Sequence, residues 1–195
     1  MLTGIDIASY QMDLINKNPK WVTHYYDFVM IKSTEGKTYH NPDADKLAKM
    51  CKDNNRLYGL YHYARAEANT PREEAQYFLS RNNGYKDAMF ALDVEQLSLT
   101  NPDIDAWSRE WLDIVYKASG KRPLLYISQG ITKMFQKVCA GNYGLWVAQW
   151  GSAKVGNIAP WNFWAIWQYH VNREHNIDMN FFNGTDELFR KYCGN

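Results

Sequence analysis

Two carboxylates separated by one residue close the segment Asp87 to Gln96, DAMFALDVEQ. The run Ala88 to Leu92 is short and apolar, the pattern of a strand buried on both faces. Side chains alternate along a strand, so Asp93 and Glu95 are expected to project to the same side of the sheet. Burying bare charge is costly, so acids beside a core strand must be neutralised, paired or employed. Two more acids occupy comparable places: Asp6 near the end of the run Leu2 to Ile7, and Asp178 on the run Asn176 to Phe181. Glu95 has the least structural use of the four. Asp6 can cap a helical turn, Asp93 can accept backbone N–H groups at a strand end, and Asp178 can do so in a tight turn.

Clustered carboxylates suit hard-metal coordination or glycoside cleavage. The histidines (His24, His40, His62, His170 and His175) show neither HxH nor HExxH spacing. Oxygen-only magnesium binding stays open, but no phosphate-binding motif accompanies it, and no cofactor or metal is expected. Glycoside cleavage needs one protonated acid and one ionised carboxylate around the scissile oxygen. Like charges held close push one pKa upward, which offers a way to keep Glu95 protonated.

The elements that must position these acids follow from periodicity. Strands are expected at Leu2–Ile7, Asp27–Lys32, Leu57–Tyr63, the DVE segment, Pro123–Ile127, Leu145–Gln149, Phe163–Gln168 and Asn176–Phe181. Helices are expected at Asp43–Asn54, after the capping-box signal Thr70-Pro71-Arg72-Glu73, from about Pro102 to Ser119, through Ile131, Met134, Phe135 and Val138, and at Thr185–Tyr192. Ser33 to Gly36 reads as a loop. Strand–helix alternation in the first five units, then loop-linked strands, predicts an irregular TIM-like α/β barrel of eight strands; a doubly wound open sheet is the competing arrangement. In a barrel, the C-terminal strand ends share one face, and closure sets the first and last strands side by side, so Asp6 and Asp178 become neighbours.

Several aromatics lie at or just beyond these strand ends: Tyr10, Tyr61, Tyr63, Tyr126, Trp150 and Tyr169. They suit either packing or stacking against sugar rings. Gln149 and Gln168 offer amides for hydroxyl or acetamido groups. Glu35 is expected in an ion pair with Lys32 or Lys37 rather than in chemistry.

With 195 residues the chain is expected to form one domain, 1–195. Its 22 basic and 21 acidic residues are nearly balanced, without the basic tract of a nucleic-acid binder. No apolar run approaches membrane-spanning length. Cys51, Cys139 and Cys193 form no redox motif, and their odd number argues against a disulfide scaffold. Met1 leads almost directly into the first strand, so no signal peptide is expected.

An ordered set of segments resembles the family 25 glycoside hydrolases, the Chalaropsis-type lysozymes of phages, bacteria and fungi. It comprises GIDIASYQ (4–11), FVMIKSTEG (28–36), GLYHYARA (59–66), FALDVE (90–95), LLYIS (124–128), LWVAQW (145–150), IWQY (166–169) and IDMNFF (177–182). The resemblance implies a barrel of five strand–helix units plus three strands. It also implies cleavage of the β-1,4 bond between N-acetylmuramic acid and N-acetylglucosamine in peptidoglycan. Glu95 maps to the general acid, while Asp6, Asp93 and Asp178 map to the accompanying aspartates. Retention of configuration through the substrate's acetamido oxygen is implied too, with Asp93 as the acid facing the acetamido nitrogen. The expectation is a monomeric muramidase acting on wall glycan strands, with no appended wall-binding domain. Before lysis it would sit in a phage host's cytoplasm or leave by a non-classical route. A glycan-binding barrel without turnover and a metal-dependent phosphodiesterase or deacetylase are the competing functions.

Overall fold

The computed structural model describes residues 1–95 and 103–194. Among the described residues nine strands form one sheet: β1 (Leu2–Ile7), β2 (Phe28–Glu35), β3 (Tyr39–His40), β4 (Leu57–Tyr63), β5 (Met89–Asp93), β6 (Leu124–Ser128), β7 (Gly144–Ala148), β8 (Ile166–Asn172) and β9 (Ile177–Phe182). The order β1-β9-β8-β7-β6-β5-β4-β2-β3, with β1 also paired to β2, closes eight strands into a barrel and leaves β3 as a flap on β2. The open-sheet alternative is excluded. Neighbours from β1 through β2 and β4 to β8 run parallel, while β9 runs antiparallel to both β8 and β1. The helices are α1 (Met12–Lys17), α2 (Lys20–Thr23), α3 (Ala44–Asp53), α4 (Pro71–Asn82), α5 (Ile104–Ser119), α6 (Gln136–Ala140) and α7 (Asp186–Tyr192).

The period of two along each strand sorts side chains into two layers. Val29, Ile31, Phe90, Leu92, Leu125 and Ile127 point outward into the layer shared with the helices. Phe28, Met30, Met89, Ala91, Leu124 and Trp146 point inward and fill the barrel, with Phe189 of α7 closing one end. Inward positions such as Gly4 and Gly59 are glycine because the barrel is full. A Cβ on Gly4 would meet the Phe28 ring at 2.4 Å, and one on Gly59 would meet Met30 Sδ at 2.4 Å. The inward rows turn polar toward one end. Met89 and Ala91 lead to Asp93, Gly4 leads to Asp6, and Phe182 leads through Asn180 to Asp178.

The predicted helix start at Thr70 holds in detail: Thr70 accepts from the Glu73 N–H, and Glu73 reaches back to the Thr70 N–H. Gly120, with φ of 73°, ends α5 in the left-handed conformation. Other expectations need correction. The helix expected through Ile131 to Val138 is a 3-10 turn followed by the short α6, whose N-terminal Lys137 and Val138 N–H groups are accepted by the Asp105 carboxylate of α5. Ser33 to Glu35 is strand, because β2 continues into a hairpin with β3. Strand β8 begins at Ile166 rather than Phe163 and extends to Asn172 through a bulged hairpin with β9. The short α1 and α2, interrupted by Pro19, carry too little period to be read from sequence. Pro102 and Gln96 lie outside the described residues. All three cysteines are free thiols, Cys51 and Cys193 being buried.

Candidate active site

The polar end of the barrel opens into a cavity of about 460 Å³. Asp6, Asp93, Glu95 and Asp178 all line it, brought there by three separate parts of the chain. Asp6 and Asp178 are direct register partners across the β1–β9 seam. Because β9 is antiparallel, its first turn of chain lies beside the C-terminal end of β1, which is how a residue near the start of a strand joins acids at the ends of others. Asp6 and Asp93 are buried, Asp178 is half-buried, and Glu95 stands at the mouth with access to solvent.

Each aspartate is held differently. Asp6 Oδ1 accepts from Gln168 Nε2 at 2.9 Å and from Asn180 Nδ2 at 2.7 Å. Asn180 is itself fixed, since its Oδ1 accepts from Trp146 Nε1 at 2.9 Å. Asp93 Oδ1 is buried with no hydrogen-bond partner among the described residues. An orphaned carboxylate oxygen of this kind is costly in a resting protein and marks a place for a donor.

Burial raises all four acids, and charge repulsion adds to it at the three aspartates. Burial, then Asp178, lifts Asp6 to about 7 against the opposing Gln168 and Asn180 hydrogen bonds. Burial and then Glu95 raise Asp178 to about 6. Asp93 is pushed well above the carboxylate range by burial, Glu95 and Asp6, with Lys32 opposing. Partial burial raises Glu95, while Lys32 and a hydrogen bond from Tyr63 pull it back. Strongly shifted acids concentrated in one cleft are the electrostatic mark of a working site.

Tyr10, Tyr61, Tyr63, Tyr126, Trp150 and Gln168 line the same cavity. Gln168 is already engaged within the protein, however. Its Oε1 accepts from Tyr126 Oη at 3.1 Å and Trp150 Nε1 at 3.0 Å while its Nε2 serves Asp6, so it positions other groups. Gln149 lies in an adjoining cavity. Tyr169 is not among the lining residues of either; its ring stacks on Phe181 with centroids 4.2 Å apart, so the expected platform is packing. The ion pair expected of Glu35 is present, with Lys32 Nζ at 2.7 Å, and Arg65 joins it at 3.3 Å. Lys32 also lies 4.5 Å from the Tyr63 ring centroid. Sequence reading left Lys32 and Arg65 out of the site; the inward phase of Lys32 after Phe28 and Met30 is the signal that would have found it. Among the described residues, no group of three His, Cys, Asp or Glu is arranged to hold a metal.

The sequence profile of the glycosyl hydrolases family 25 matches residues 5–176. The chain belongs to that family. Among its relatives, the N,O-diacetylmuramidase of Chalaropsis is 26% identical over 210 residues, covering 96% of this chain and 97% of the relative. The protein YegX of Escherichia coli O157:H7 is 27% identical over 173 residues, covering 85% of this chain. This chain spans only 62% of the length of YegX. Among solved structures, a muramidase from Acremonium alcalophilum superposes with a TM-score of 0.82 at 22% identity, each chain fully covered (100% of both). That likeness is one of fold, and the family's closed barrel is the fold found here.

Proposed function

We propose that the protein is an N-acetylmuramidase that hydrolyses the β-1,4 bond between N-acetylmuramic acid and N-acetylglucosamine in peptidoglycan. One observation carries the reading: an acid whose pKa is raised by partial burial, Glu95, stands at the mouth of a cavity lined by three inward aspartates. Family membership and the name of the Chalaropsis relative support the substrate class.

In this mechanism Glu95 is protonated and donates to the glycosidic oxygen as the C1–O bond breaks. The acetamido carbonyl oxygen of the muramic residue attacks C1, forming an oxazolinium ring. Its N–H hydrogen-bonds to Asp93 Oδ1, which has no donor among the described residues. Asp6 and Asp178 hold the attacking water. Glu95, now ionised, takes a proton from that water as it opens the ring from the face the leaving sugar vacated, so configuration is retained. All groups come from one chain, so a monomer suffices. No helix of the described residues is long and apolar enough to cross a membrane, and the site of action is the wall itself.

Digestion of purified peptidoglycan with wild type and Glu95→Gln, followed by mass analysis, tests the reading. Wild type should release muropeptides with reducing muramic ends, unaffected by chelator, and the variant should lose at least about a hundredfold in rate. Reducing glucosamine ends or free peptides would overturn it.

A further inference from the structure

A second cavity, about 420 Å³, adjoins the first and shares Glu95, Tyr126 and Trp150 with it. The two differ in charge. The first carries Asp6, Lys32, Glu35, Arg65, Asp93 and Asp178 besides Glu95, whereas among the described residues Glu95 is the sole charged residue lining the second.

Two glutamines set the chemistry of the uncharged side. Gln149 Oε1 accepts from the Gly156 N–H at 2.8 Å, which fixes the amide and leaves Nε2 with no acceptor among the described residues. Gln129 Nε2 donates to the Asn157 carbonyl, which leaves its Oε1 with no donor among the described residues. The amides converge: a methyl on Gly156 would lie 3.4 Å from Gln149 Nε2 and 3.6 Å from Gln129 Nε2. A spare N–H donor and a spare carbonyl acceptor therefore stand together, beside the apolar Ile131 and Ala148. That set complements an acetamido group, which offers one carbonyl, one N–H and one methyl.

From this we infer that the second cavity receives the leaving sugar, an uncharged N-acetylhexosamine, with Gln129, Gln149 and Ile131 reading its acetamido group. The inference rests on the muramidase reading and adds direction to it. The muramic residue, with the stem peptide on its lactyl group, lies on the charged side of Glu95 and the neutral glucosamine on the amide side. Trp150, 57% exposed, spans the boundary as a stacking surface for the strand.

The test compares two substrates. One is peptidoglycan glycan strand, whose leaving group is N-acetylglucosamine. The other is a 4-methylumbelliferyl glycoside of the N-acetylglucosaminyl-N-acetylmuramic disaccharide, whose leaving group is an aryl alcohol without an acetamido group. The variants are Gln129→Ala/Gln149→Ala and, separately, Ile131→Asp, which places a second carboxylate in the cavity. Each should lower kcat/KM on the strand, relative to the aryl glycoside, by at least about tenfold. Equal losses on both substrates, or no loss on either, would overturn the inference. The aryl substrate also reports whether each variant is folded. Release of reducing glucosamine by wild type would instead overturn the muramidase reading, and the cavity's occupant with it.

Discussion

Asp6 and Asp178 face each other as register partners on antiparallel strands, at the one seam where the barrel joins its first strand to its last. Like charges directly opposite on a sheet repel. Here the Asp178 charge adds to burial in raising Asp6 to about 7, while burial and Glu95 raise Asp178 to about 6. The site consequently retains protons that an ordinary surface pair would have lost.

That arrangement has a stability consequence with a definite sign. A carboxyl whose folded pKa is raised stabilises the native state fully below its unfolded pKa, and the contribution is lost as pH rises through the folded value. For Asp178 the window runs from about 4 to about 6. Asp178→Asn should therefore leave Tm nearly unchanged at pH 4 and raise it at pH 8. Calorimetry across that range decides the matter, and a stabilisation greatest at pH 4 would contradict the assigned shift.

Lys32 is the cation that restrains this field, lowering both Asp93 and Glu95. Replacing it with methionine keeps much of the apolar stem against Tyr63 and removes the charge. The pKa of Glu95 should then rise further, so the alkaline limb of the kcat/KM profile should move up by about half a unit to one unit. A limb displaced toward acid would refute this account.

Gln168 gives the clearest separation between binding and positioning. With its amide spent on Asp6, Tyr126 and Trp150, Gln168→Leu should change kcat more than KM. A fall of about tenfold, or 1.4 kcal/mol of transition-state stabilisation, is expected. Asp6 would also lose one of the two hydrogen bonds that hold its pKa down, so the pH profile should shift as well. A variant altered in KM alone would mean that Gln168 touches substrate.

The four acids were legible because position along a strand fixes direction. Asp93 follows Met89 and Ala91 at a spacing of two, and barrel closure then places Asp178 beside Asp6. Less legible were features set by pairing between distant segments. The β2–β3 hairpin turned an expected loop into strand, and the carboxylate of Asp105 broke one expected helix by capping another. Aromatic roles were the least readable. Tyr126 and Tyr169 both lie near strand ends, yet one points into the barrel, while the other stacks on Phe181 of the neighbouring strand. Strand phase at a bulge, here between Gln168 and His170, decides such cases, and bulges leave little trace in sequence.

Behind the site, the outward face of β4 carries a polar network in a layer that is otherwise apolar. His62 and Glu74 are both fully buried (0% exposed), with Nε2 and Oε2 2.8 Å apart. Burial lowers the His62 pKa despite Glu74, so the ring is neutral. The carboxylate can only accept, which assigns the proton to Nε2 and leaves Nδ1 to receive the Thr34 hydroxyl at 2.7 Å. Glu74 also accepts from the Arg65 N–H at 3.1 Å and from Asn69 Nδ2 at 2.8 Å, anchoring the segment that carries Arg65 to the cavity. Glu74→Ala strips one partner from each of three buried or half-buried donors. It should cost about 3 kcal/mol in urea unfolding, the scale for breaking a buried hydrogen-bonded pair. Glu74→Gln retains an acceptor oxygen and should cost less. Equal losses for the two variants would show that the charge, rather than the hydrogen bonds, holds this segment in place.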